Sequence, residues 1–436
     1  MNYTDQLVNL IIKLQSEKLP SAVVDAIKYD LIDYLGVYFA GRHFLKEKIN
    51  RYLSSSHYTK NAEQFAFVNG LSSHFLEMDD GNRFGMVHPG SVVLSALFAI
   101  AKCKHIDAKI FIQSVFVGYE ITIRLASAIQ PSHKKRGFHA TGTCGAIGAA
   151  AAVSTMLSID NKYLKSIISA ATASACGLLE VINDSSELKP YNVGMAAKNG
   201  INAVYVGSSG FSGPDDCIGG KRGLLGSMAD SFDSSWLDFE KHGKYTMLTT
   251  YKKPFASCRH CHSAIEAALI LNNQYTFSAK DISGINIETY DLAVFGHDNT
   301  LINNSSAAKM SIPYSVAAAL VFNDGGILSY NEAAINNNEV ASLLKKITVE
   351  ENSVFSKLVP EKRAAKVTIR LENGSVLEKI VEYPKGEPEN PMSCAEIKDK
   401  YYQMMNCANI EKNKSERILD CAINLENKLD ELLTIL

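Results

Sequence analysis

The sequence predicts a mainly α fold, helical over residues 1–265, α+β after that, and helical again at the C-terminus. Three observations carry this. Apolar residues recur at helical spacing through most of the first 265 positions. Near residue 282 the period changes to the two-residue alternation of a strand. Pro384, Gly386, Pro388 and Pro391 then mark a linker before a last helical region.

Taken in order, residues 1–18 place Leu7, Leu10, Ile11 and Leu14 on one stripe. They lack the basic region and small-residue cleavage site of a signal peptide. After Pro20-Ser21, residues 22–41 carry Val23, Ile27, Leu31, Tyr34 and Leu35 on one helical face, with Gly41 the expected stop. Residues 69–74 lead into an acidic turn, and 91–102, 108–129 and 143–157 read as three apolar helices. The last is rich in alanine, which lets helices approach closely. Residues 262–271 (HSAIEAALIL) are helical again. Alternation over 282–290, 366–371 and 376–383 predicts three strands. The last two flank Glu372-Asn373-Gly374-Ser375, a hairpin signal with positive φ expected at both central positions. Ser393 and Glu396 have capping-box spacing. No internal repeat is visible.

Composition limits the function. With 436 residues, 46% apolar and 21% charged, the chain has enough apolar mass for a large core, which excludes disorder. A net charge of -2 without a basic run gives no general attraction to nucleic acid. Nine cysteines, odd in number and scattered, fit reduced thiols and a cytoplasmic location better than a disulfide framework. Residues 137–159 carry no formal charge and are long enough to span a bilayer. Their His139, Thr141, Thr143, Ser154 and Thr155 favour a buried helix instead, so no membrane partner is expected.

Four clusters carry chemistry. The first is Glu77-Met78-Asp79-Asp80-Gly81, followed by His88-Pro89-Gly90. Three carboxylates buried together would push one pKa up, which suits acid–base work; the alternative is a solvated acidic turn. Asp79, Asp80 and His88 match no metal-ligand spacing. The second is Arg136-Gly137-Phe138-His139 before a helix whose free N–H groups favour an anion. Gly142, Gly145 and Gly148 are not a dinucleotide fingerprint and read as close-packing positions. The third is Lys189-Pro190, with Lys198. The fourth runs from Tyr251 to His262 and holds Lys253 and Cys258-x-x-Cys261-His262. That spelling matches a c-type haem attachment but lacks an export signal, and a zinc site lacks a second ligand pair. Cys258 or Cys261 as a proton carrier stays open.

Together these segments resemble the MmgE/PrpD family. The matching pieces are FLEMDDGNRFGMVHPG, GYEITIRLASAIQPSHKKRGFHATGTCGAIGAAAAVS, LKPYNVGMAAKNG, YKKPFASCRHCHSAIEAAL, KMSIPYSVAAAL and YPKGEPENPMS, in family order. The resemblance implies a helical domain from residues 1–265 and 393–436, with an α+β domain at 266–392. The family includes 2-methylcitrate dehydratase, cis-aconitate decarboxylase and iminodisuccinate epimerase. It therefore implies a lyase acting on a small di- or tricarboxylate by proton abstraction next to a carboxylate, without metal or organic cofactor, in a homodimer. An isomerase, a decarboxylase and a carboxylate-binding homologue without activity are the alternatives. Carried over residue by residue, the resemblance implies Asp80, His88, His139, Lys189 and Tyr314 as catalytic. It implies Glu77, Arg136, Lys253, Cys258 and His262 as substrate-binding. Tyr314 would donate to a developing enolate-like oxygen. Two departures stand out. The dehydratase and decarboxylase pattern is Asp-Phe-Asp-Asp-Thr, so Gly81 replaces a threonine; Cys258 stands where the decarboxylase type has a histidine.

Overall fold

The structure, a computed structural model, describes residues 2–55, 61–183 and 185–436. Helices dominate it, with one four-stranded and one two-stranded sheet. The core divides into two main apolar clusters. The larger gathers Tyr3–Gln15, Ser21–Phe44, Pro89–Ala101, Ala108–Ile129, Ala140–Met156 and Lys189–Ser208 with the C-terminal helices Lys412–Ile423 and Leu425–Ile435. Both ends of the chain thus meet in one core. The second cluster packs His262–Gln274, Ile312–Phe322 and Asn338–Leu344 on one face of the four-stranded sheet.

That sheet has the order Ile347–Glu351, Ile282–Thr289, Ala365–Leu371, Val376–Val381; the first pair is parallel and the others antiparallel. Ile285 lies opposite Ile369, and Ile287 opposite Val367. All four are buried, as one face of a half-covered sheet requires.

Local chemistry explains most boundaries. The helix Ala108–Ile129 starts where the Asp107 side chain accepts the Lys109 and Ile110 N–H groups. The Ser393–Glu396 capping box is formed. Gly142, Gly145 and Gly148 do serve close packing: a Cβ would meet the Cys176 carbonyl, Val92 and Thr122 respectively. Other details depart from expectation. The helix from Ser21 runs past Gly41 to Phe44. Gly41 is no stop; a Cβ there would overlap the Ser72 carbonyl of the neighbouring helix. The hairpin keeps its place but uses a different turn. Only Gly374 has positive φ, at 86°, and its N–H donates to Leu371 O at 2.9 Å. This is a type I turn closed by a left-handed glycine. The strand Ile347–Glu351 was not expected from the sequence.

The uncharged stretch 137–159 becomes the 17-residue helix Ala140–Met156, buried along its whole length. Among the described residues one helix, Ala108–Ile129, is long and apolar enough to cross a membrane, and 89% of its apolar window is buried within the molecule. It carries a buried ion pair, Glu120 with Arg124 at 2.7 Å. All nine cysteines are free.

Candidate active site

Three helices of the larger cluster start at one cleft. His88 caps Pro89–Ala101, His139 caps Ala140–Met156, and Lys189 opens Lys189–Ser208. Pro89 and Pro190 stand in first turns, where a missing N–H costs nothing. Three helix N-termini give this wall a partial positive charge that suits an anion. Tyr251, Cys258, His260, His297 and Arg363 line the cleft from the second cluster and its approach segment, and Lys134 joins them.

The acidic turn follows the helix Ala62–His74. Glu77 has φ 57°, a left-handed conformation a long side chain rarely adopts, and it holds the turn tightly bent. Its Oε1 lies 2.6 Å from Lys189 Nζ and its Oε2 3.3 Å from Lys253 Nζ. Burial opposes its ionisation, but Lys189 and Lys253 outweigh that and hold the carboxyl well below the usual range. Asp79 accepts from His74 Nδ1 at 2.7 Å and from the Ser91 hydroxyl. Its carboxyl is also lowered, chiefly by the charge and hydrogen bond of His74, with Lys253 behind, against burial. Asp80 goes the other way. Burial first, then Asp30 and Asp79, push it well above the carboxylate range. One carboxyl of three rises, as their crowding requires, and it is Asp80. Beneath the turn, Lys400 of the helix Cys394–Cys407 pairs with Asp33 and donates to Met78 O at 2.6 Å.

The two histidines at the helix starts are neutral, and their tautomers differ. Burial, with Lys253, His74 and Lys189 nearby, lowers His88 to about 3 despite Asp79. His88 Nδ1 lies 2.6 Å from Asp80 O, which only accepts. Nδ1 therefore carries the hydrogen and Nε2 the lone pair. His139 is also held well below its ordinary value, by burial and then Lys189. Asn192 Nδ2 lies 3.2 Å from Leu178 O and 3.3 Å from His139 Nδ1. The carbonyl fixes the amide with its NH2 toward both, so His139 Nδ1 accepts and Nε2 carries the hydrogen. One ring offers the cleft a base, the other a donor.

Not every sequence candidate reaches the cleft. His88, His139, Lys189 and Cys258 line it. Glu77 lines an adjoining hollow that shares Lys189. Lys253 is fully buried behind Glu77. Asp80 is held inward by the Gly90 N–H at 3.1 Å and the Tyr119 hydroxyl at 2.8 Å. Arg136 points to the surface and pairs with Asp230 at 2.7 Å. His262 sits between Arg259 Nη1 at 2.9 Å and Ser257 O at 3.2 Å. Tyr314 donates to Ser329 O at 2.8 Å within the second core. Cys261 is fully buried with its thiol pushed well up by burial, which leaves no access for haem attachment.

Several cleft groups carried no sequence signal strong enough to find them. Lys134 donates to His260 Nε2 at 2.7 Å, and His260 Nδ1 meets the Tyr290 hydroxyl at 2.7 Å. Burial lowers Lys134 to about 8. Arg363 and His297 come from separate segments. Gly81 is explained by packing: a Cβ there would overlap the Tyr251 hydroxyl, so a tyrosine fills the space a threonine would take.

Among the described residues two trios bring donor atoms within 4.8 Å, His74/Asp79/His88 and Cys258/His260/His297. Both are already hydrogen-bonded internally or to neighbours. Lys253 lies 3.9 Å from Asp79, and Lys134 sits on His260. Those ammonium groups oppose a divalent cation at either place.

Residues 5–237 match the MmgE/PrpD N-terminal domain and residues 255–427 the MmgE/PrpD C-terminal domain. The cis-aconitate decarboxylase-like protein oryM of Aspergillus oryzae is 25% identical over 100% of this chain and 97% of its own length. Human cis-aconitate decarboxylase is 24% identical over 98% of this chain and 92% of its own. The alkylcitrate dehydratase phiI of a fungal species is 25% identical over 51% of this chain and 46% of its own.

Proposed function

The chain belongs to the MmgE/PrpD family, and from that premise we propose that it is a lyase acting on a small di- or tricarboxylate, by proton abstraction at the carbon next to a carboxylate and loss of water. The observation that carries the reading is the pair of neutral histidines with opposite tautomers at two helix starts, beside Lys189 in one cleft. Lys189, Lys134 and Arg363 hold carboxylates, helped by the three helix N-termini. His88 Nε2 takes the carbon proton, a step worth ~10²–10⁴-fold in rate. His139 Nε2–H donates to the oxygen on which negative charge develops. Glu77 neutralises Lys189 and fixes its position. Asp80 positions rather than reacts, since it anchors the start of the His88 helix.

Loss of CO2 is the second reading. The relatives named cis-aconitate decarboxylase cover nearly the whole chain, and the alkylcitrate dehydratase about half of it. Gly81 in place of a threonine gives an epimerase no separate support, because the Tyr251 hydroxyl occupies that space. Independence of metal and a homodimer are part of the proposal. Proton NMR of the purified protein in D2O with 2-methylcitrate, citrate, cis-aconitate and iminodisuccinate tests it. New alkene signals support loss of water, and a lost carboxylate supports decarboxylation. Deuterium entering without loss of either makes the protein an epimerase. Silence across the panel contradicts the proposal.

A further inference from the structure

A thiol and an imidazole stand idle on the wall that the second cluster builds. Cys258 Sγ lies 3.2 Å from His297 Nε2, and both residues line the cleft. His297 Nδ1 lies 3.1 Å from the Phe295 carbonyl oxygen. A carbonyl only accepts, so Nδ1 carries the hydrogen and Nε2 keeps the lone pair that faces the thiol. The backbone fixes both partners: Cys258 N–H donates to Lys309 O at 2.9 Å, and His297 O accepts from Ile312 N–H at 2.8 Å. A thiol, a base within bonding reach and a third group orienting that base is the arrangement that activates a cysteine.

We propose that Cys258 and His297 form a second proton-transfer dyad of the cleft, a thiolate–imidazolium pair that protonates the departing group of the polycarboxylate; this rests on the lyase reading above. His88 takes the proton from carbon, the electron pair left behind forms the C=C bond, and the C–O bond breaks. The hydroxyl takes the proton of His297 Nε2 and leaves as water. The dyad is then a thiolate beside neutral imidazole, and His88 is protonated. One proton passing through solvent from His88 to the dyad restores both.

The surroundings fit this charge state. Lys189, Lys134 and Arg363 face the thiol and favour the thiolate, and Glu77 opposes it. Cys261, Tyr251 and Tyr290 also face it, each kept neutral by burial. His260 is neutral, held low by burial and then Lys134. Burial alone would raise Cys258, but the charge and hydrogen bond of His297, with Lys189 behind, bring it down to about 5.

The test is iodoacetamide labelling of the full chain from pH 5.5 to 9, read peptide by peptide in a mass spectrometer. Cys103, which is exposed, serves as the reference thiol. Cys258 should label at a rate nearly independent of pH above about 6, and more than tenfold faster than Cys103 at pH 6.5. Citrate at millimolar concentration should slow Cys258 and leave Cys103 alone. In His297→Gln the Cys258 rate at pH 6.5 should drop at least tenfold and climb with pH as an ordinary thiol does. A Cys258 rate that rises tenfold per pH unit in the wild type, or that ignores His297→Gln, overturns the dyad. Given a turned-over substrate, Cys258→Ser should lower kcat at least tenfold with KM within about threefold. A kcat unchanged in Cys258→Ser overturns the catalytic role. Labelling needs no turnover, so failure of the lyase reading shows separately, as silence of every substrate beside a reactive Cys258.

Discussion

Two regions of this molecule bury opposite charges, and they finish them differently. Glu120 and Arg124 lie one helical turn apart with no exposure. Arg124 reaches six backbone carbonyls between Trp236 and Lys244, and Glu120 also accepts from Thr246 Oγ1 and Met247 N–H at 2.8 Å. Each guanidinium nitrogen and each carboxylate oxygen has a partner, and the pair ties a long loop to the core. Around the acidic turn the charges are as deeply buried but the hydrogen bonding is incomplete. Among the described residues His74 Nε2 and Asp79 Oδ1 have no hydrogen-bond partner, and Lys189 opens onto the cleft. Buried charge alone therefore does not identify a site. Buried charge left unfinished beside a cleft that a lysine opens onto is the better marker.

The contrast can be broken from either side. The largest effect should come from His88→Gln, which should lower kcat by ~10²–10⁴-fold with a melting temperature within a few degrees of wild type. Steady-state kinetics and a thermal melt check it. Arg124→Met should do the reverse. Leaving Glu120 without its counter-charge and six carbonyls without their donor should cost about 3–5 kcal/mol in urea unfolding, while turnover per folded molecule is kept.

Acid should loosen the fold through buried neutral histidines. His88 is lowered to about 3 and His133 to about 4, both chiefly by burial. The unfolded chain takes up these protons near 6.5 and the folded one does not, so stability falls as pH drops from about 6.5 to 4. The expected slope is ~1.4 kcal/mol per pH unit for each histidine. His133→Gln should flatten part of it in urea titrations. Lys134, at about 8, works in the other direction on binding. It loses its charge above pH 8, so KM should rise there by up to about tenfold with kcat less affected. In Lys134→Met, KM should be high at all pH values. Asp80→Asn should do least. The carboxyl is already neutral, and the amide oxygen still accepts from Gly90 while Tyr119 turns to accept from the amide. Stability should change by less than about 1 kcal/mol. Dialysis against EDTA should leave turnover unchanged.

What the sequence made legible follows the same physics. Helix 108–129 was readable because Asp107 is a local cap and the apolar stripe is long. The strand Ile347–Glu351 was not, because only Ile347 is buried and an edge strand needs little alternation. The family resemblance singled out His88, His139 and Lys189, and the structure brings all three to the wall of one cleft. His297 was not readable, because its partner Cys258 is 39 residues away and no spacing rule joins them. Lys134 and His260 lay inside motifs already singled out, but their value rests on a contact across 126 residues. Tyr314 and Arg136 illustrate the converse. The resemblance suggested a role for each, and the structure turns the side chain away from the cleft, into the second core or toward Asp230.

The most direct measurement compares wild type and His88→Gln in D2O, with the polycarboxylate that the wild type consumes, by following the proton next to the carboxylate. Loss of that signal in the wild type and its persistence in the equally stable variant is the predicted result. Loss at the wild-type rate in His88→Gln would place the base elsewhere and contradict the account.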